Sequence, residues 1–320
     1  MGKGATGTEA VVTELPAEAP GSVPVSAIEA VNVSQVQKYS PLRYPGGKTW
    51  LIPHIHRWLK GIEPRPKLLI EPFVGGGIVS LTAVMEGLVD QCWMVELDRD
   101  VAAFWRAALY CGPELRERVR DFPLSRNAVD ELSRQSPTND LERGFRTLVM
   151  NRTRSGGILA PGATLLSYGE NRKGIASRWY PETLIQRLTE ISDNAPRIRL
   201  FEANGLDILR NLPDLLDNGH VLFVDPPYTA GGKRAGKRLY ARNEIDHVHL
   251  FELLADSNTE FVATYDMTDE ILKLVRKHGF HAVQVEMKNK HHARVSELVI
   301  SSRQVFDHRM NPVDQRGQNC

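Results

Sequence analysis

The chain has 320 residues, 42% of them hydrophobic, and 40 Lys and Arg stand against 39 Asp and Glu. That length accommodates one large α/β domain with a smaller inserted or second one. The balanced charge excludes a uniformly basic nucleic-acid coat, so a polynucleotide partner would need local basic patches. No apolar run approaches the roughly 18 residues of a membrane helix.

Residues 1–38 are rich in Ala, Glu, Pro, Gly, Ser and Val and carry no apolar core of a signal peptide, so a disordered tail is expected. Cys92, Cys111 and Cys320 are too widely spaced for a metal-like pair. They fit a reduced, cytoplasmic protein with Cys92 and Cys111 in its core and no metal site.

Tyr44-Pro45-Gly46-Gly47-Lys48-Thr49 resembles the end of a phosphate-binding loop, but Leu42 stands where the first Gly is required. ATP and GTP are therefore excluded. The segment reads as a turn opening a helix at Thr49, with Lys48 available to a carboxylate or phosphate. Strand-like runs at 67–70, 93–96, 198–202, 220–224 and 260–264 alternate with helical stretches. This is the pattern of a mostly parallel sheet.

After the first of these strands comes Glu71-Pro72-Phe73-Val74-Gly75-Gly76-Gly77, then a helix at 78–86. Glycines at a strand-to-helix turn let backbone approach a ligand, and the helix start offers free amides. Ser80 stands where a dinucleotide fingerprint would have its third Gly. The next strand ends at Glu96, about 20 residues on, the spacing of an acid that bonds ribose hydroxyls; Asp98 can share or take that role.

The stretch 115–196 breaks the βα alternation and reads as an insertion between two halves of the sheet domain. It contains Asn151, Arg152, Arg154 and Arg178. Asp207 follows the strand at 198–202 and is expected at the same sheet edge, accepting from an adenine amino group. Asp225-Pro226-Pro227-Tyr228 follows the apolar run 221–224. Prolines stop the strand, leaving a rigid carboxylate, a free carbonyl and an aromatic ring at the carboxyl edge where open α/β sheets bind ligands. That set suits an exocyclic amino group on a flat base; a Pro-Pro turn closing a core strand is the plainer alternative. The following run, 229–242, carries Lys233, Arg234, Lys237, Arg238 and Tyr240 and no acid before it ends. Thr268 is placed as an N-cap and Gly279 as the stop of a helix, after which alternation at Val283, Val285 and Met287 and the run 298–300 suggest a closing antiparallel hairpin.

Together these residues resemble the Dam-type (D12 class) DNA adenine-N6 methyltransferases. The matching pieces are 44–48, 71–77, 96–98, Asn151-Arg152, 225–228 and 295–298, in the family's order, over roughly residues 39–305. The resemblance implies a Rossmann-like S-adenosylmethionine-dependent methyltransferase fold: a mostly parallel seven-stranded sheet with an antiparallel last hairpin, plus an inserted, mainly helical target-recognition domain. The expected boundaries are 39–114 and 197–306 for the catalytic domain, 115–196 for the insertion, and tails at 1–38 and 307–320.

It further implies S-adenosylmethionine as cofactor, with Tyr44, Pro45, Gly46, Gly47 and Lys48 closing over its methionine end. Glu71, Pro72, Phe73, Gly75, Gly76 and Gly77 would form the floor, Glu96 and Asp98 would meet the ribose, Asp207 would meet the adenine, and Asp225 would adjoin the cofactor. Asp225 and the Pro226 carbonyl would accept the two hydrogens of the target amine, Pro227 would hold the turn, and Tyr228 would stack on the flipped base. Duplex DNA is the implied partner, gripped by the basic run with Tyr240 nearby and read through Asn151, Arg152, Arg154 and Arg178. A cognate restriction endonuclease is a possible further partner. Three other readings stay open: methylation of another amino group (RNA adenine, cytosine N4, a glutamine side chain), a non-catalytic DNA-binding regulator of the same fold, and a dinucleotide-dependent oxidoreductase.

Overall fold

The computed structural model describes residues 26–28, 33, 35–44, 46–160, 162–168, 172–216, 219–227, 245–288 and 294–306. Its frame is a sheet of β1 (Ser26–Ile28), β2 (Leu68–Glu71), β3 (Gln91–Glu96), β4 (Ile198–Glu202), β5 (His220–Val224), β6 (Phe261–Asp266), β7 (His281–Lys288) and β8 (Arg294–Ser301). The spatial order is β1-β7-β8-β6-β5-β2-β3-β4. Neighbours are parallel except β8, which runs antiparallel to both β6 and β7. Apart from β1 this is the Rossmann-like sheet with an antiparallel closing hairpin expected from the sequence. The chain moves outward from β2 to β4 and returns to β5, so the carboxyl ends of β2 and β5 flank the switch point, where such sheets bind ligands.

The strands are short apolar runs because both faces are covered. Alternate residues point to opposite faces, so Leu69, Val221, Phe223 and Val262 join one core with Leu51, Trp58, Phe104, Trp105 and Leu148. Their neighbours Ile70, Leu222, Val224 and Ala263 join the other with Leu250, Phe251, Ile271 and Val275. The helices covering the sheet are α1 (Ile52–Lys60), α2 (Ile78–Met85), α3 (Arg99–Tyr110), α8 (Gly205–Leu215), α9 (His247–Asp256) and α10 (Asp269–His278). Thr268 caps α10 by accepting from the Ile271 amide, and Gly279 ends it in the left-handed conformation at φ 66°, both as expected. Cys92 is buried and Cys111 only half-buried.

Residues 115–196 are mainly helical: most of α4 (Gly112–Asp121), then α5 (Arg126–Arg134), α6 (Asp140–Thr153) and α7 (Pro181–Asp193). Leu115, Val119, Phe145, Leu148, Leu184 and Leu188 pack into the same apolar cluster as one face of the sheet. One expectation is corrected at the edge. Ser26–Ile28, assigned to a disordered tail, pairs in parallel with Val283–Val285, and this covers backbone groups that β7 would otherwise leave unpaired as an edge strand.

Candidate active site

The loop between β2 and α2 is built around close backbone approach. Gly77 has φ 61°, and a Cβ there would stand 2.9 Å from the Trp105 ring. Trp105 Nε1 donates to the Gly75 carbonyl at 3.0 Å, fixing the loop from the core side. From the other side, the Tyr44 ring packs over Gly75 and Gly76.

Two buried carboxylates organise the loop's ends. Glu71, 3% exposed, accepts from the Ser80 amide at 3.1 Å and from the Ser80 hydroxyl. Ser80 is thus the hydrogen-bond partner of the acid that ends β2, a role hidden when it is read as a missing glycine. Burial pushes the Glu71 carboxyl up to about 8, against the Ser80 bonds that lower it. Glu96 ends β3 and accepts from the Gly75 amide at 3.0 Å and the Asp98 amide at 2.8 Å. Burial is again the largest influence and raises Glu96 to about 7. Asp98 has a second task as the N-cap of α3, accepting from the Asp100 and Val101 amides.

At the carboxyl end of β5, Asp225 Oδ2 lies 2.9 Å from Lys48 Nζ, while Oδ1 accepts from the Thr264 hydroxyl at 2.7 Å. Lys48 is buried, with Glu297 Oε2 at 3.8 Å, and its ammonium also donates to the Gly46 carbonyl. Burial alone would lower the Lys48 pKa, but Asp225 and then Glu297 outweigh it and the net shift is upward. Burial raises Glu297 to about 7 while Lys48 opposes it. Thr264 escaped the sequence reading because its position follows from strand register. Ala263 pairs with Val224, which sets the next residues, Thr264 and Asp225, side by side.

These groups share one cavity, lined by Tyr44, Gly47, Lys48, the run 71–79, 96–98, 204–206, Asp225, Pro227, Ile245 and Asp246. It therefore brings together Tyr44, Gly47, Lys48, Glu71, Pro72, Phe73, Gly75, Gly76, Gly77, Glu96, Asp98, Asp225 and Pro227 from the expected set. Gly46 is exposed and Pro226 buried, and neither lines the cavity.

Asp207 is corrected. Its side chain is 58% exposed, pairs with Arg210 at 2.9 Å and does not line the cavity. Asn204, Gly205 and Leu206 do so instead, because the start of α8 presses on the loop: a Cβ at Gly205 would lie 2.3 Å from the Pro72 carbonyl oxygen. Asn151 and Arg152 are also corrected as base readers. Asn151 is fully buried; its Oδ1 accepts from the Arg43 amide at 2.7 Å and its Nδ2 donates to the Arg43 and Gly157 carbonyls. Arg152 is 4% exposed. Both belong to the buried stripe of α6, which leaves neither an edge to offer a base. Arg154 is half-buried and donates to the Leu159 carbonyl, and Arg178 is half-buried at the end of the 3-10 turn Gly174–Arg178. Pro45, Tyr228, Lys233, Arg234, Lys237, Arg238 and Tyr240 lie outside the described residues.

Among the described residues, no helix is long and apolar enough to cross a membrane, and no His, Cys, Asp and Glu cluster could hold a metal ion. No family model matches the chain, and no curated protein matches it in sequence. Among solved structures it is similar to the rRNA methyltransferase AviRa of Streptomyces viridochromogenes, with 14% identity and a TM-score of 0.37 over 90% of each chain. It is also similar to a SAM-dependent methyltransferase of Agrobacterium tumefaciens, with 12% identity and a TM-score of 0.37 over 80% of this chain and 62% of that one. A third is a precorrin-6y C5,15-methyltransferase of Geobacter metallireducens, with 10% identity and a TM-score of 0.33 over 78% and 84%. Likeness at this level carries no functional argument. The order of the sheet and its closing hairpin define the class of fold, that of the Rossmann-like methyltransferases.

Proposed function

We propose that the protein is an S-adenosylmethionine-dependent methyltransferase acting on the N6 amino group of an adenine extruded from duplex DNA. The observation that carries this reading is the position of Asp225, which ends β5 at the switch point and opens onto the same cavity as the glycine loop and Glu96. The donor set fits the cofactor's chemistry. Glu96 accepts the Gly75 amide on one oxygen and the Asp98 amide on the other, and a carboxylate with about four lone-pair sites keeps capacity for a ligand hydroxyl. Phe73, Ile78 and Leu206 offer apolar walls to a flat ring, and Gly75 to Gly77 let the chain come close. When bound, S-adenosylmethionine supplies a methyl group on a positively charged sulfur.

An aromatic amine is a weak nucleophile because its lone pair is delocalised into the ring. Asp225 and the Pro226 carbonyl would accept its two hydrogens and favour a pyramidal nitrogen with that pair available. Lys48 and Thr264 each occupy one lone-pair site on Asp225, which fixes the plane of the carboxylate and leaves further sites for the substrate. Holding the two reactants in line supplies several kcal/mol of barrier reduction. Extruding the base costs on the order of a few kcal/mol in stacking and pairing. The duplex-DNA and adenine parts of this reading rest on the family resemblance and on the basic run 233–238.

The test is to incubate the protein with S-adenosylmethionine and duplex DNA, digest to nucleosides and look for N6-methyladenine by mass spectrometry. Methyl groups found only in RNA, on cytosine N4 or on protein would replace the substrate and keep the chemistry. Cofactor binding without any methylated product would favour a regulator.

A further inference from the structure

Glu297, on β8, is 8% exposed, and its Oε2 has no hydrogen-bond partner among the described residues. The cation facing that oxygen is Lys48, whose Nζ stands 3.8 Å away. The same Nζ lies 2.9 Å from Asp225 Oδ2. An ammonium carries three N–H bonds, so Lys48 can serve the Gly46 carbonyl and still face both acids. Asp225 lines the cavity, whereas Glu297 stands behind Lys48 and does not. The charged side chains acting on Glu297 are Lys48 from the 3-10 turn Lys48–Leu51, Asp225 from the end of β5, and Asp266 from β6. Asp266 is level with it in the sheet, and on the β7 side it meets uncharged Val285. Burying an unsatisfied carboxylate oxygen costs free energy, and Lys48 already has a closer counter-charge in Asp225.

Methyl transfer to an amine gives this second acid a task. The C–S bond breaks with its electron pair going to sulfur, and the N–C bond forms from the nitrogen lone pair. Nitrogen is then left with one proton too many, and an N–H bond must break. Asp225 receives that proton first, yet both of its oxygens already accept, from Lys48 and from Thr264. An O–H formed there would face one of those donors. We propose that Lys48 passes the proton on, giving one of its own hydrogens to Glu297 Oε2 while taking one from Asp225, so that Glu297 is the terminal acceptor. Lys48 ends as it began, an ammonium, Asp225 is a carboxylate again, and Glu297 is neutral. A hydrogen bond to Glu297 needs the 3.8 Å gap to close by about 0.8 Å, and a neutral Asp225 holds the ammonium less tightly. A carboxyl raised by burial to about 7 is ionised enough to accept at neutral pH and basic enough to keep the proton. With 10% of its side chain exposed, Glu297 can then return it to water. The inference rests on the methyltransferase reading above but not on DNA or adenine, since every amine substrate sheds the same proton.

The experiment measures single-turnover methyl transfer by wild type and Glu297→Gln between about pH 6 and pH 8. Saturating S-adenosylmethionine keeps the titration of Glu96 out of the rate. Transfer should be roughly 10–100-fold slower in Glu297→Gln, with the affinity for S-adenosylmethionine unchanged. Only the ionised carboxylate can accept, so the wild-type rate should rise with pH through about 7, and Glu297→Gln should lose that rise. A rate near wild type in Glu297→Gln would overturn the relay, and so would a slower rate that keeps the rise, which marks a structural role. A wild type that methylates no amine in nucleic acid or protein would remove the methyltransferase reading and the relay with it. Should Glu297→Gln fail to fold, the wild type decides. A rate that rises through about pH 7 and drops in deuterium oxide supports the relay, and the lack of either overturns it.

Discussion

Lys48 Nζ sits 2.9 Å from Asp225 Oδ2, so the turn that opens the first helix is tied to the acid that ends β5. The lysine is 3% exposed at its side chain, and Glu297 approaches it from β8 at 3.8 Å. Two acids thus converge on one buried cation, and each depends on it.

Replacing Lys48 with Met should leave Asp225 and Glu297 facing one another without a counter-charge. Breaking a buried pair costs about 3–5 kcal/mol, and the partial exposure of Asp225 places this one at the low end. Urea unfolding would measure it. Glu297→Gln should recover part of the loss in the Lys48→Met background while destabilising the protein when introduced alone, a non-additivity that a double-mutant cycle reads directly. Two additive penalties would mean that the three side chains are not coupled.

Asp225→Ala should abolish methyl transfer, by about 1000-fold or more, while S-adenosylmethionine still binds in a calorimetric titration. The carboxylate is needed only where charge develops on the amine, whereas the glycine loop and Glu96 would carry most of the cofactor contact. Turnover near the wild-type rate would remove Asp225 from the chemistry.

Glu71 links stability to pH. Its folded pKa of about 8 lies above the ordinary 4.5, so the folded state holds this proton more tightly than the unfolded chain. The resulting stability is fully present below pH 4.5 and is lost as pH rises through 8. Glu96 and Glu297 shift in the same direction, each to about 7, and add to the trend. Glu71→Gln should therefore gain on the wild type by more than about 1.4 kcal/mol between about pH 5 and pH 8.5, the equivalent of one pKa unit. Parallel stability curves for the two proteins across that range would show that Glu71 titrates normally.

What could be read from the chain and what could not divides along a physical line. Glu71 to Gly77, Glu96 and Asp225 were legible because each is a local event, a strand that ends on an acid followed by glycines or prolines. The partners of those acids were not, because register sets them. Thr264 meets Asp225 through the pairing of β5 with β6, and Glu297 comes level with Asp266 through the antiparallel pairing of β8 with β6. By template Ser80 stands for a missing glycine, whereas the buried acid ending β2 requires a nearby donor and takes it from Ser80. Arg152 carries a periodic signal of burial in the sequence itself. Phe145, Leu148 and Val149 precede it at helical spacing on the buried side of α6, so position 152 shares their stripe. Cationic type suggested surface; period placed it inside.

Glu96 and Asp207 separate the part of the cofactor reading that the geometry supports from the part it removes. Glu96 lines the cavity with lone pairs to spare, whereas Asp207 is more than half exposed and paired with Arg210. Asp207→Ala should leave S-adenosylmethionine affinity unchanged, since an exposed ion pair contributes on the order of 0–1 kcal/mol and touches no cavity group. Glu96→Gln should weaken binding by about 1.5–3 kcal/mol, the range for a hydrogen bond to a charged group. The pH dependence discriminates further. Ligand hydroxyls donate to the ionised carboxylate, and Glu96 titrates at about 7 in the free protein. Affinity should then rise as pH increases from about 6 to 8, and Glu96→Gln should flatten that rise. Equal affinity in wild type and Glu96→Gln on the alkaline side of that range would mean that another group holds the hydroxyls, with Asp98 the next acid along the same wall.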